Sequence, residues 1–198
     1  MTEAAPVRPP GTVERLPKAQ APASGWAERG VALAPGGDLL DVNVWLALAI
    51  EEHPHHQAAA AYWSAHTGSQ HTRTARYFCR LSAMSFVRLL CNPKLMSDKP
   101  LTLVKAWDLY QRFAALPGVA MLAEPAGLDE QLAALIAPKF APRLFTDAYF
   151  AALARTAQLR LVTFDKDFAR FEALDLLRLM AGAEQGAEQG AEQGARLR

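Results

Sequence analysis

The sequence is poor in cysteine and has no long hydrophobic run. Its two cysteines, Cys79 and Cys91, are not in CxxC spacing and lie among apolar residues, so we expect buried thiols in a reducing compartment. No unbroken apolar run exceeds seven residues, whereas a membrane-spanning helix needs roughly 20. The first 30 residues also lack the apolar segment of a secretory signal peptide. These absences predict a cytoplasmic protein that does not enter a membrane.

The sequence also has no excess of positive over negative residues, or of negative over positive ones. Lys and Arg total 21 against 20 Asp and Glu, which gives a net charge of +1, so the composition as a whole does not indicate a nucleic-acid binder. A local basic patch is not excluded, and basic side chains are most concentrated at Arg73, Arg76, Arg80, Arg88 and Lys94. Hydrophobic residues make up 51% of the chain, which excludes wholesale disorder and predicts a globular core.

Proline, glycine and a tetrapeptide repeat mark the ends of the folded part. Six of the 13 prolines and five of the 12 glycines fall in residues 1–37, which lack a sustained apolar period and are predicted to be a disordered arm, dispensable for folding. Three copies of Gly-Ala-Glu-Gln begin at Gly182, so residues 181–198 are predicted to be a low-complexity tail. The remaining residues, 38–180, are predicted to form one domain.

Within that domain, segments typical of strands alternate with segments typical of helices. The predicted strands are residues 38–42, 76–81, 118–123, 160–164 and 176–179. The predicted helices are residues 44–52, 55–66, 101–116, 128–137 and 144–158, with a further helix that ends near Asn92. Strand and helix in alternation predict an α/β fold of three layers, in which a central parallel sheet of four to five strands has helices on both faces.

Three carboxylates are expected at one edge of this sheet. Asp41 ends the first strand, Asp165 ends the fourth, and Asp147 opens the helix before the fourth. The 11 helical steps from Asp147 to Gln158 travel about 16 Å away from that edge, and the strand that returns to Asp165 covers about 20 Å. These distances nearly cancel, so the carboxylates are predicted to meet beyond the carboxyl ends of the strands, where ligands bind in such sheets. Clustered carboxylates need a cation, and oxygen ligands suit Mg²⁺ or Mn²⁺.

Four segments carry a resemblance to a known family. They are Leu-Leu-Asp-Val-Asn-Val at 39–44, Phe-Val-Arg-Leu-Leu-Cys-Asn-Pro at 86–93, Thr-Asp-Ala-Tyr-Phe-Ala-Ala-Leu-Ala at 146–154 and Thr-Phe-Asp-Lys-Asp-Phe at 163–168. In this order and spacing the chain resembles the PIN-domain nucleases, and among them the VapC-type toxins of bacterial toxin–antitoxin pairs. The resemblance implies a PIN-like fold and a Mg²⁺-dependent endoribonuclease that is inhibited by a small VapB-like antitoxin and commonly forms a homodimer.

The same resemblance assigns roles to individual residues. It makes Asp41, Asp147 and Asp165 the catalytic, metal-binding carboxylates, and it places Asp167 at an accessory acidic position. The family commonly has a further Glu in the helix after the second strand, where this chain has Ala83. An alternative therefore stays open, in which the chain is a catalytically weakened or inactive binding module that retains antitoxin or RNA binding. A phosphohydrolase with Asp41 as nucleophile fits less well, because Asn43 stands where that chemistry usually needs a second Asp.

Overall fold

The computed structural model describes residues 36–65, 75–96, 99–136 and 140–180. The predicted arm up to residue 35, the repeat tail from residue 181 and the basic residue Arg73 lie outside the described residues, so their assignments stay predictions. No helix in the described ranges is both long and apolar enough to span a membrane.

Five strands and six α-helices alternate along the described part of the chain. In order they are β1 (Asp38–Leu40), α1 (Val42–Ala49), α2 (His56–Ala65), β2 (Arg76–Phe78), α3 (Arg80–Leu90), α4 (Leu103–Ala114), β3 (Val119–Met121), α5 (Leu128–Leu135), α6 (Phe145–Thr156), β4 (Arg160–Thr163) and β5 (Leu176–Arg178). Single 3₁₀ turns, Pro142–Leu144 and Lys166–Arg170, precede α6 and follow β4. The strands form one parallel sheet in the order β3-β2-β1-β4-β5, which confirms the predicted α/β fold.

All five strands end one to three residues earlier than predicted, and for the first two a polar or thiol side chain caps the following helix. The first was expected to reach Val42, but Asp41 is the N-cap of α1. The second was expected to reach Leu81, but Cys79 is the N-cap of α3, where its Sγ accepts a hydrogen bond from the backbone N–H of Ser82 at 3.4 Å. The Ser82 hydroxyl accepts in turn from the backbone N–H of Cys79 at 3.0 Å. This reciprocal cap satisfies donors that a helix start leaves without partners.

The core lies in two layers, one on each face of the sheet. Alternate residues of a strand point to opposite faces, and the residues of the central strands β1, β2 and β4 are almost all buried, whereas those of the edge strands β3 and β5 are half-buried. Leu39, Tyr77 and Leu161 pack with α5 and α6, whereas Leu40, Phe78 and Val162 pack with α1, α3 and α4. On the second face Trp45 of α1 stacks on Phe78, with ring centroids 3.8 Å apart. Burial on both faces explains why the strands are short, nearly continuous apolar runs.

The amino-terminal end of the sheet is held by buried charges. Asp38 is 1% exposed and accepts two hydrogen bonds from the guanidinium of Arg160, at 2.9 and 2.8 Å. Arg76 is 2% exposed, and its guanidinium lies over the ring of Trp63 at 4.2 Å from the centroid. The sequence-based suggestion that Arg76 belongs to a surface basic patch is therefore wrong, because its stem and charge are buried against the protein.

Candidate acidic site at the carboxyl edge of the sheet

Asp41 stands where β1 ends and α1 begins. Its backbone N–H donates to the carbonyl of Val162 on β4 at 3.0 Å, which continues the pairing of the strands. Its backbone carbonyl accepts from the N–H of Val44 at 3.1 Å, and its Oδ1 accepts from the N–H of Val42 at 2.6 Å, which starts the helix. The carboxylate is thus held at the carboxyl edge of the sheet by both elements.

Two side chains hold the other oxygen of this carboxylate. Oδ2 of Asp41 accepts a hydrogen bond from Nδ2 of Asn43 at 2.7 Å and another from the Thr163 hydroxyl at 2.8 Å. Thr163 was not predicted as a site residue. The sequence feature that could have indicated Thr163 is its hydroxyl group at the end of the otherwise apolar, buried strand Arg160–Thr163.

The Thr163 hydroxyl also connects Asp41 to the segment that carries Asp165. Its oxygen accepts from Nδ2 of Asn43 at 3.0 Å and from the backbone N–H of Asp165 at 3.0 Å. Asp165 is the N-cap of the 3₁₀ turn Lys166–Arg170, and its Oδ1 accepts from the backbone N–H of Asp167 at 2.8 Å. One buried hydroxyl therefore links the ends of β1 and β4.

The carboxylates influence one another electrostatically. Burial raises the pKa of Asp41 to about 6, against 3.8 for an unperturbed Asp; the hydrogen bonds from Thr163 and Val42 lower this pKa, and the negative charges of Asp147 and Asp165 raise it. Asp147 is half-buried in the first turn of α6. The charges of Asp147 and Asp165 therefore both act on Asp41, so the three carboxylates predicted from the sequence interact electrostatically.

Charges of both signs act on Asp147. Its pKa is raised first by burial and then by the negative charges of Asp165 and Asp167, while Arg170 and Arg143 lower it. Asp167 forms an ion pair with Arg170 at 3.1 Å. Within the described ranges, no three His, Cys, Asp or Glu side chains are grouped so that they could hold a metal ion. The assignment of Asp41, Asp147 and Asp165 as metal ligands stays a prediction.

The position expected for a further Glu contributes no charge. Ala83 lies in the first turns of α3, is 3% exposed and packs in the apolar cluster on the face that carries α1, α3 and α4. Helix α3 contains no Asp or Glu. The acidic side chains at this edge therefore come from β1, α6 and the segment after β4.

A cavity of about 900 Å³ adjoins the acidic residues. Asn43 and Asp165 line it together with the charged side chains of Glu52 and Lys99, and apolar and aromatic side chains form most of the remaining wall. Within it the rings of His55 and Phe164 are stacked, with centroids 4.4 Å apart. The volume leaves room for a nucleotide-sized ligand beside the carboxylates.

The chain is similar to known ribonucleases in sequence. A family model described as PIN domain matches residues 39–174. Ribonuclease VapC41 of Mycobacterium tuberculosis is 36% identical over 148 residues, which cover 72% of this chain and 98% of that protein. Ribonuclease VapC38 of the same species is 32% identical over 127 residues, which cover 64% of this chain and 84% of that protein.

Solved structures show the same fold. VapC20 of Mycobacterium tuberculosis, described as a toxin that cleaves the sarcin–ricin loop, superposes with a TM-score of 0.52 at 17% identity, over 70% of this chain and 97% of that one. VapBC2 from Rickettsia felis, bound to a DNA fragment of its promoter, gives a TM-score of 0.51 at 12% identity, over 73% of this chain and 99% of that one.

Proposed function

The chain belongs to the PIN domain family and within it to the VapC ribonucleases, and from this premise we propose that it is the endoribonuclease toxin of a VapBC-type toxin–antitoxin pair. Its reaction is the hydrolysis of RNA phosphodiester bonds. The observation that carries the proposal is the position of Asp41, whose carboxylate lies at the junction of β1 and α1 and is linked through Thr163 to the segment of Asp165.

A metal ion is part of this proposal. The donor type suits a hard divalent cation, because carboxylate oxygens are its usual ligands and their charges here are disfavoured by burial and by one another. Within the described ranges the three side chains are not grouped closely enough to hold the ion without moving. We propose that Asp41, Asp147 and Asp165 hold Mg²⁺, for which Mn²⁺ can substitute. When bound, such an ion lowers the pKa of water and stabilises negative charge that develops on phosphoryl oxygens.

The protein's own residues orient the site for this chemistry. Asn43 and Thr163 fix the Asp41 carboxylate with two hydrogen bonds, so its rotation is restricted before any ligand arrives. Oδ1 of Asp165 is held by the N–H of Asp167, whereas its Oδ2 has no hydrogen-bond partner within the described residues. The adjoining cavity at Asn43 and Phe164 gives space for a nucleotide of the RNA.

Metal removal tests the proposed reaction directly. We expect the purified full-length chain to cleave single-stranded RNA in Mg²⁺, to lose cleavage in excess EDTA and to regain it when Mg²⁺ or Mn²⁺ is restored in excess. Fragments would be followed by denaturing gel, with the Asp41→Asn protein from the same purification as the measure of contaminating nucleases. Cleavage that persists in EDTA, or that is equal in both preparations, would contradict the proposal.

A binding module without catalysis is the second candidate, and the buried Ala83 favours it because one acidic position of the family is lost.

We expect Ala83→Glu to raise Mg²⁺-dependent cleavage if this position faces the metal. A buried carboxylate without a partner destabilises the fold, so the variant should also have a lower melting temperature in EDTA and a larger increase on addition of Mn²⁺ than the unmodified chain.

The control for this experiment is Ala106→Glu, a second buried alanine, on helix α4. It should be destabilised without recovering in Mn²⁺. If Ala83→Glu folds but changes neither cleavage nor the response to Mn²⁺, residue 83 does not face the metal and its alignment with the family's Glu is wrong.

A VapB-like antitoxin and a second copy of the chain are the proposed protein partners. Large apolar side chains are exposed on α3 and α4, namely Met84, Leu103, Val104 and Trp107. Exposed apolar patches of this kind are typical of surfaces that proteins cover in complexes.

We also propose that the pair works in the cytoplasm, which agrees with the free thiols of Cys79 and Cys91.

A further inference from the structure

A second cavity, of about 650 Å³, lies beside α6 and is basic. Three arginines line it: Arg143 from the 3₁₀ turn before α6, Arg155 from the last turn of α6, and Arg170 from the 3₁₀ turn after β4. Glu172 is the one carboxylate among its described lining residues, so positive charges outnumber negative ones. Apolar side chains, including those of Leu135 and Phe140, form the rest of the wall.

The arginines of this cavity come from both ends of α6. Arg143 precedes the first turn of α6 and Arg155 stands near its end, so their backbones are separated by roughly 18 Å at the rise of a helix. A chain of regularly spaced negative charges can contact side chains that start this far apart.

Two of the three guanidinium groups, those of Arg143 and Arg155, make no hydrogen bond or ion pair within the described ranges. Arg170 instead donates to the backbone carbonyl of Asp167 at 2.8 Å and pairs with its carboxylate. Guanidinium groups offer planar, paired donors that suit phosphate oxygens. The cavity thus presents donors that a phosphate backbone could use.

The basic cavity adjoins the acidic site. The positive charges of Arg143 and Arg170 both lower the pKa of Asp147, and Arg170 is joined to Asp167 in the turn that Asp165 caps. A polyanion that reaches the carboxylates meets repulsion there, so cations next to them are needed to hold its neighbouring phosphates. The cavity supplies these cations on the side of α6.

We propose that the groove lined by Arg143, Arg155 and Arg170 binds the phosphate backbone of the RNA next to the bond that is cleaved. This inference rests on the proposed ribonuclease function and adds to it the path of the substrate across the protein. An acidic protein segment is less favoured, because Arg170 of the groove is paired with Asp167 in the turn that Asp165 caps, beside the carboxylates where the RNA phosphate must lie.

The test measures RNA binding without cleavage. The full-length protein carrying Asp41→Asn would be titrated, in Mg²⁺, into a fluorescently labelled single-stranded RNA of 12 nucleotides, over a range of salt concentrations. Adding Arg143→Gln and Arg155→Gln should weaken binding about 10-fold or more at low salt. It should also reduce the slope of log affinity against log salt by roughly 1.4, since each phosphate contact on a single strand contributes about 0.7.

The matched control removes the same charge from the opposite face of the sheet. Lys105→Gln with Arg112→Gln, both exposed on α4, should leave the affinity and the salt slope unchanged. In the protein that retains Asp41, Arg155→Gln alone should raise KM for RNA and leave kcat within about twofold, because Arg155, unlike Arg143, has no effect on the pKa of Asp147 and contributes to binding only.

The outcomes separate this inference from the proposed function. If the chain cleaves RNA but the arginine variant binds RNA with unchanged affinity and slope, the groove is not the path of the substrate. If the variant is folded and loses affinity for a co-purified antitoxin while RNA binding is unchanged, the groove serves a protein and the inference is overturned. If RNA binding weakens as expected but no cleavage occurs in Mg²⁺, the groove stands and the ribonuclease function fails.

Discussion

Replacing Asp41 with asparagine should lower the rate of RNA cleavage by at least about 100-fold and should at the same time stabilise the metal-free protein at pH 7. The loss of rate follows because a neutral amide is a poor ligand for Mg²⁺, and metal ions contribute several kcal/mol to the stabilisation of charge in such reactions. Asparagine is nearly isosteric, and its side-chain oxygen can still accept from the N–H of Val42, so the cap of α1 is retained. Its NH2 group replaces Oδ2 and cannot accept the hydrogen bonds from Asn43 and Thr163.

The gain in stability follows from the pKa of Asp41. Burial and the neighbouring carboxylates raise this pKa to about 6 from 3.8, so the folded state holds the proton more tightly than the unfolded chain does. Stability from this group is therefore fully present below about pH 4 and is lost as the pH rises to about 6. At pH 7 the ionised carboxylate costs on the order of 3 kcal/mol, which asparagine avoids. The two hydrogen bonds that Oδ2 no longer accepts offset about 1 kcal/mol each, so the net gain is about 1 kcal/mol.

Urea unfolding in EDTA at pH 5 and pH 7 would measure this effect. The unmodified chain should be less stable at pH 7 than at pH 5, and Asp41→Asn should reduce that difference. Added Mg²⁺ should stabilise the unmodified chain and have less effect on the variant. Asp129→Asn, which changes an exposed carboxylate in α5, is the control and should alter neither cleavage nor the pH dependence. A metal-free Asp41→Asn protein that is less stable than the unmodified chain at pH 7 would contradict this account.

The parallel sheet and its acidic edge could be predicted from the sequence because they depend on local patterns. Buried parallel strands are short apolar runs, and an Asp that ends such a run lies at the edge of the sheet. The end of β1 was predicted less well, since Asp41 continues the pattern of a strand and only its hydrogen bond to Val42 shows that it caps a helix.

The partners of these carboxylates could not be predicted, because they depend on contacts between distant segments. Thr163 is 122 positions from Asp41, and its role follows from the pairing of β1 with β4. The basic groove has the same origin, since its three arginines come from separate turns and one helix end. Counting basic residues along the chain instead indicated the segment around Arg76, in which Arg76 is buried while Arg80, Arg88 and Lys94 are exposed.

Replacing Asp38 with alanine should lower the free energy of unfolding by about 3–5 kcal/mol, the usual cost of removing one partner of a buried ion pair. Asp38 opens β1 and lies in register with Arg160 at the start of β4, so their ion pair joins the strands that end in Leu40 and Thr163. Without the carboxylate, the Arg160 guanidinium loses two hydrogen bonds and the Tyr62 hydroxyl loses the acceptor that it contacts at 2.7 Å.

Urea unfolding at pH 7 would measure this loss, with Tyr62→Phe as the matched variant. That substitution removes one hydrogen bond to Asp38 and leaves the ion pair with Arg160, so it should cost only about 1 kcal/mol. Because the pair lies at the end of the sheet opposite Asp41, the folded fraction of the Asp38→Ala protein should still cleave RNA in Mg²⁺. Equal costs for the two substitutions would mean that the ion pair contributes nothing beyond the bond to Tyr62, and that other contacts hold β1 beside β4.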